Sequence, residues 1–178
     1  MASWYGPGFH GNRTANGEVY DMHKLTAAHR TLPLGSVAIV RSLTTGREVT
    51  VRINDRGPFA KGRILDVSLA GAQSLGMTSR GTDEVEIRVV GYQGRVGELG
   101  FLRVQVGSFA EAANAQALVD RLKAWRYQDV RIITVELAEG KRYRVQVGRY
   151  TTESQAEIAA VQLASQLNLD PFVIREDS

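Results

Sequence analysis

Apolar and polar positions alternate through much of the first half of the chain. Val49, Val51 and Ile53 alternate with Thr50, Arg52 and Asn54, giving an extended segment one apolar and one polar face. Val37–Arg41, Ile64–Ser68 and Glu84–Val90 read as further strands, and Met1–Trp4 already has strand character. Thr45-Gly46 supplies a turn between the two central strands, Asn16-Gly17 and Gly57-Pro58 mark loops, and Ala70–Met77 suits one short helix. Many short strands in so few residues predict a compact all-β barrel or sandwich.

The texture changes after Gly91. A link over residues 92–100 carries three glycines, Gly94, Gly97 and Gly100. Beyond it Arg103-Val104-Gln105-Val106-Gly107-Ser108-Phe109 is echoed by Arg144-Val145-Gln146-Val147-Gly148-Arg149-Tyr150. After each copy the apolar spacing turns helical: Ala115, Leu118, Val119, Leu122 and Trp125 form one stripe, and Ala156, Ala159, Ala160, Leu163 and Leu167 form another. Thr152-Glu153-Ser154-Gln155 has capping-box spacing. The predicted order is βαββαβ, an α+β split βαβ domain with both helices on one side of a four-stranded antiparallel sheet. The expected division is therefore residues 1–91, a link over 92–100, and a second domain over 101–178. If Val104, Val106, Val145 and Val147 pack inward, then Arg103, Gln105, Arg144 and Gln146 project from an uncovered, polar sheet face. Such a face is either simply solvated or a binding surface.

Composition changes this picture little. The 178 residues are 43% hydrophobic and 23% charged, with a net charge of +3, ordinary for a globular protein. There are no cysteines, which excludes disulfides, thiolate metal sites and a cysteine nucleophile. No run approaches the roughly 18 apolar residues of a membrane span. No metal-ligand spacing, phosphate loop or nucleophile elbow occurs, so neither metal nor cofactor is expected. The split βαβ half lacks the paired aromatic platform of RNA-binding modules of the same topology, so nucleic acid is not expected as a partner.

The candidate chemistry lies in Asn54-Asp55-Arg56-Gly57-Pro58-Phe59, at the end of the strongest strand. Asp55 is either a general acid made protonatable by partial burial or a turn-capping carboxylate. His29 is either a structural hydrogen-bonder or a catalytic group. Glu18 follows the Asn16-Gly17 turn, and Asp66, within a strand pattern, is either a buried acceptor or a second carboxylate.

Five blocks occur in order: Ser3-Trp4-Tyr5-Gly6, Thr14-Ala15-Asn16-Gly17-Glu18, Leu25 to Pro33 (LTAAHRTLP), Val51 to Phe59 (VRINDRGPF) and Arg63 to Ser68 (RILDVS). Together they resemble the double-psi β-barrel domain of the rare lipoprotein A family of septal lytic transglycosylases, over about residues 2–91. The second half resembles a SPOR domain over about 101–176, through Val104 to Phe109. The resemblance implies a periplasmic enzyme, anchored in the outer membrane by a lipid on a segment this chain lacks. It would cleave between N-acetylmuramic acid and N-acetylglucosamine in glycan strands stripped of stem peptides, leaving 1,6-anhydro ends. The SPOR domain would bind the same denuded strands at the division septum, where division proteins are further partners. By motif match Asp55 falls on the family's acid/base, His29 on its essential histidine and Glu18 on an acidic position of the groove. Gln105, Ser108 and Arg144 match glycan-binding positions, with Arg103 and Gln146 on the same predicted face. The other reading is a non-catalytic glycan binder, since expansins share the barrel and loosen polysaccharides without cleaving them.

Overall fold

The computed structural model of the protein describes residues 1–93, 100–137 and 139–176. Of the expected link over 92–100, residues 94–99 lie outside the described residues. The described residues form two compact units, one over 1–93 and one over Gly100–Glu176.

The first unit contains β1 (Ala2–Trp4), β2 (Thr26–His29), β3 (Ser36–Ser42), β4 (Glu48–Asp55), β5 (Leu65–Val67), β6 (Thr82–Asp83) and β7 (Val85–Tyr92), with α1 (Leu69–Leu75) between β5 and β6. The strands join in the order β6-β1-β5-β2-β4-β3-β7. Two pairings, β1 with β5 and β2 with β4, are parallel, and the rest are antiparallel. Ser68 caps α1 by accepting from the Gly71 N–H, and left-handed Gly76 ends it. The core gathers Val49, Val51 and Ile53 of β4, Leu65 and Val67 of β5, and Leu75 of α1.

Strand β2 escapes the sequence pattern. Thr26, Ala27, Ala28 and His29 are all buried, so alternation is absent, and two alanines lack strong β-propensity. The strand forms because it lies between β5 and β4 and is hydrogen-bonded on both edges.

One irregularity places the chemistry. Ala27 pairs with Ile53 but Ala28 with Asp55, so Asn54 is an extra residue, a β-bulge in β4. Alternation from Val49, Val51 and Ile53 would send Asp55 to the core. The bulge turns it to the opposite face, beside Ala28.

The second unit contains β8 (Leu102–Phe109), α2 (Ala112–Ala124), β9 (Arg131–Leu137), β10 (Gly140–Tyr150), α3 (Glu153–Leu167) and β11 (Phe172–Arg175). Its antiparallel sheet has the order β11-β8-β10-β9, the split βαβ arrangement read from the repeat. Val104, Val106, Val145 and Val147 face a core with Leu118, Leu122 and Leu163. Thr152 caps α3 by accepting from the Gln155 N–H. The expected stripe of α2 ends early. Trp125 is the C-cap residue, 44% exposed, with the Arg121 guanidinium 4.8 Å over its ring.

The repeated Val-Gln-Val-Gly motif has a steric cause. A Cβ on Gly107 would stand 2.8 Å from the Phe109 ring, and one on Gly148 would stand 2.5 Å from Tyr150. In each copy an aromatic ring two residues on folds over the bare glycine backbone.

Candidate active site

Asp55 closes β4, and the Thr14-Ala15-Asn16-Gly17-Glu18 turn docks on it. Asn16 Oδ1 accepts from Thr14 Oγ1 at 2.7 Å and from the Glu18 N–H at 3.1 Å, and Gly17 takes φ of 85°. The turn thus aims the Ala15 N–H at Asp55 Oδ1, 2.9 Å away, while the Arg56 N–H donates to the same oxygen at 2.8 Å. Burial pushes the Asp55 pKa up, against the pull of these two N–H groups and the Arg56 guanidinium. With Oδ1 holding two donors, Oδ2 is the oxygen left to carry a proton.

Register supplies the surroundings. Ala28 pairs with Asp55 on one side and Asp66 on the other, and Asp66 pairs with Ser3. Laterally paired residues face the same way, so Asp55 and Asp66 flank an alanine floor. Burial pushes the Asp66 pKa up, opposed by Arg63 at 3.5 Å. Tyr5, just after β1, stacks on Tyr20 at 4.3 Å, and burial raises its pKa, followed by the charges of Asp55, Tyr20 and Asp66. Tyr5 Oη, Thr26 Oγ1 and Asp66 Oδ1 are buried without a hydrogen-bond partner among the described residues. Buried polar atoms left open in this way suit a site that binds hydroxyl-rich ligands.

Glu18 is engaged by two donors. It pairs with Arg52 at 2.8 Å and accepts from Asn54 Nδ2 at 3.1 Å. The Arg52 hydrogen bond, working against burial, pulls its pKa down to about 2. It is therefore an ionised wall residue, lining a cleft of about 310 Å³ with Asp21, Lys24, Thr26, Arg52 and Asn54.

His29 is 4% exposed and shares a register row with the core residue Leu65. Its Nδ1 accepts from the Thr31 and Leu32 N–H groups at 3.1 and 3.0 Å. No hydrogen bond joins His29 to Asp55 among the described residues. Arg56, next to Asp55 in the chain, donates from Nη1 to the His29 and Leu32 carbonyls at 3.1 and 2.8 Å. Burial first, then Arg56 and Arg30, pulls the His29 pKa down to about 4.

In the second unit the expected face lies opposite the helices, but three of its residues are not open to solvent. Gln105, Arg103 and Gln146 are 3, 5 and 6% exposed. Arg103 Nε donates to Glu176 at 2.8 Å and its Nη1 to the Gly148 carbonyl at 2.9 Å. Arg131 pairs with the same Glu176 and donates to Gln146 Oε1 at 3.0 Å, while Gln146 reaches Gln105 at 3.5 Å. Long polar side chains at adjacent register positions satisfy one another there, which corrects the expectation of an uncovered face for these three. Ser108 is exposed and Arg144 half-buried, directly opposite it in register. Extending the inward alternation of Val104 and Val106 would have turned Ser108 inward. A bulge at Val106 brings it outward beside Arg144.

Sequence reasoning missed three groups at the site: Tyr5, Thr26 and the side chain of Arg56. Each sits in a block recognisable in the sequence, but only the strand register reveals what it faces.

Residues 1–87 match the family model for a lytic transglycolase and residues 99–175 that for a SPOR domain, which defines the class of the two units. Among curated relatives, the endolytic peptidoglycan transglycosylase RlpA of Campylobacter jejuni is 37% identical over 200 residues, covering 99% of this chain and 71% of its own. That of Neisseria meningitidis serogroup B is 41% identical over 165 residues, covering 90% and 69%. The Helicobacter pylori J99 relative of the same name is 35% identical over 185 residues and covers 88% of this chain but 58% of its own. The chain belongs to the RlpA family, a double-psi β-barrel unit followed by a SPOR unit.

Proposed function

We propose that the protein is an endolytic peptidoglycan transglycosylase, cutting the bond between N-acetylmuramic acid and N-acetylglucosamine and leaving 1,6-anhydro ends. The observation that carries this reading is the bulge at Asn54, which takes Asp55 out of the core and sets it, held by two N–H donors, on a face shared with Asp66. Asp55 Oδ2 gives its proton to the glycosidic oxygen as the bond to the anomeric carbon breaks. The resulting carboxylate takes the proton of the muramic 6-hydroxyl, whose oxygen closes the anhydro ring. The nucleophile belongs to the substrate, so one acid/base serves both steps where a hydrolase needs two carboxylates.

In the same proposal the SPOR unit holds glycan strands free of stem peptides, with Ser108 and Arg144 at the contact. The protein then works in the periplasm at the division septum, beside division-site proteins and anchored to the outer membrane. The test is digestion of amidase-treated peptidoglycan, with mass spectrometry of the products. Wild type is expected to release anhydro-muramic products, and Asp55→Asn to release none while keeping its fold and its sacculus binding. Hydrated reducing ends would make it a hydrolase. Absence of products from wild type would leave an expansin-like binder.

A further inference from the structure

The essential histidine expected at His29 makes no hydrogen bond to Asp55 among the described residues, and its contacts describe another task. A ring nitrogen that accepts two N–H bonds carries no hydrogen, so Nδ1 is bare and the ring is the neutral Nε2–H tautomer. The side chain bonds its own backbone two and three residues on, which is the geometry of an Asx turn made with imidazole. That turn points the His29 and Leu32 carbonyls at one guanidinium nitrogen of Arg56. The Arg56 backbone N–H in turn holds Asp55 Oδ1. The chain of contacts is continuous, from the His29 ring to its turn, from the turn to Arg56, and from Arg56 to the carboxyl.

We propose that His29 and Arg56 are positioning residues: His29 shapes the turn whose carbonyls fix Arg56, and Arg56 fixes the orientation of the Asp55 carboxyl. His29 then takes no proton during turnover. The inference rests on the transglycosylase reading for its kinetic test, but its structural content does not. The charged groups around the ring are Arg56 and Arg30, both cations, so nothing named there favours an imidazolium.

Asparagine and glutamine separate the two roles. Asn Oδ1 falls where His Nδ1 stands and can accept from Thr31 and Leu32, but it has no proton to trade. Gln places its amide one bond further out, nearer the position of Nε2. On denuded glycan His29→Ala and His29→Gln are each expected to lose about 100-fold or more in kcat, in the range where positioning alone acts. His29→Asn is expected to recover most of that loss, and the pH profile should show no limb belonging to a histidine. Arg56→Lys, which keeps the charge and loses the fork, is expected to lower kcat with little change in KM. Nitrogen-15 NMR of the imidazole reads the tautomer without any substrate: Nε2 protonated and Nδ1 bare from pH 5 to 8.

A folded His29→Asn as inactive as His29→Ala, or a ring that titrates near its ordinary value of 6.5, would overturn the proposal. If wild type releases no anhydro products the function reading fails, and the NMR signature alone then decides this one.

Discussion

Acid should weaken the first unit through His29, and the size of the effect follows from its burial. The ring is neutral when folded, with a pKa of about 4 against an ordinary 6.5. Below pH 6.5 the unfolded chain takes up a proton that the folded one refuses. Stability therefore falls as pH falls through that window and levels off below pH 4. The full shift corresponds to roughly 3 kcal/mol, at 1.36 kcal/mol per pH unit. Between pH 7 and pH 5 the lost part is about 2 kcal/mol, a large share of a small domain's 5–15 kcal/mol. Asp55 and Asp66 act in the opposite sense, because burial raises their pKa values and favours the protonated fold as pH falls. Comparing wild type with His29→Asn cancels those carboxyls and leaves the imidazole. The assay is urea unfolding at pH 7 and pH 5, followed by Trp4 fluorescence in a Trp125→Phe background, since Trp4 packs on the first core. Wild type is expected to lose about 2 kcal/mol more than the asparagine variant, a midpoint difference on the order of 1 M urea. Parallel losses, within about 0.5 kcal/mol, would refute a buried neutral ring.

Two further outcomes concern the second unit. Gly148→Ala puts a Cβ 2.5 Å from the Tyr150 ring at a φ of 73°, so it is expected to cost about 1–3 kcal/mol, read as a lowered melting temperature of that unit. Arg144→Ala is expected to weaken retention of the full chain on denuded sacculi about tenfold, the loss of one polar contact worth roughly 1–3 kcal/mol. Unchanged retention would move the glycan contact off this part of the sheet.

Most of the architecture was legible in the sequence because alternation and helical spacing report burial directly. Val49, Val51 and Ile53 identified β4, and the two Val-Gln-Val-Gly copies identified β8 and β10. Strand β2 was not legible, because a strand bonded on both edges and buried throughout has no polar positions to alternate. At the site, Asp55 was a candidate from its place at a strand end, but its environment depended on Asp66 and Tyr5, distant in sequence and adjacent only through register. Glu18 was a candidate as an acidic position of the groove, but its partners Arg52 and Asn54 lie more than thirty residues away and were not legible from the turn that carries it. Gln105, Gln146 and Arg103 looked available because alternation gives the direction of a side chain and says nothing of its neighbours.

The functional side chains stand where alternation breaks. Asn54 is the extra residue that turns Asp55 from the core side to the alanine floor, and Val106 the extra residue that turns Ser108 toward Arg144. A third bulge, at Gly148 and Arg149, returns Tyr150 to the core while the Gly148 carbonyl receives Arg103. A one-residue insertion exchanges the two faces of everything beyond it. A strand can therefore be apolar on one side for most of its length, which anchors it in the core, and still deliver a polar group to the other side at its end. Period-two reasoning identifies the anchored part and gives the wrong face for the delivered group. This is why alternation identified the strands while local sequence blocks pointed to Asp55 and Ser108. The same logic makes the bulges the sensitive points: deleting Asn54 should restore alternation and return Asp55 to the apolar face, removing the acid from its site without touching its side chain.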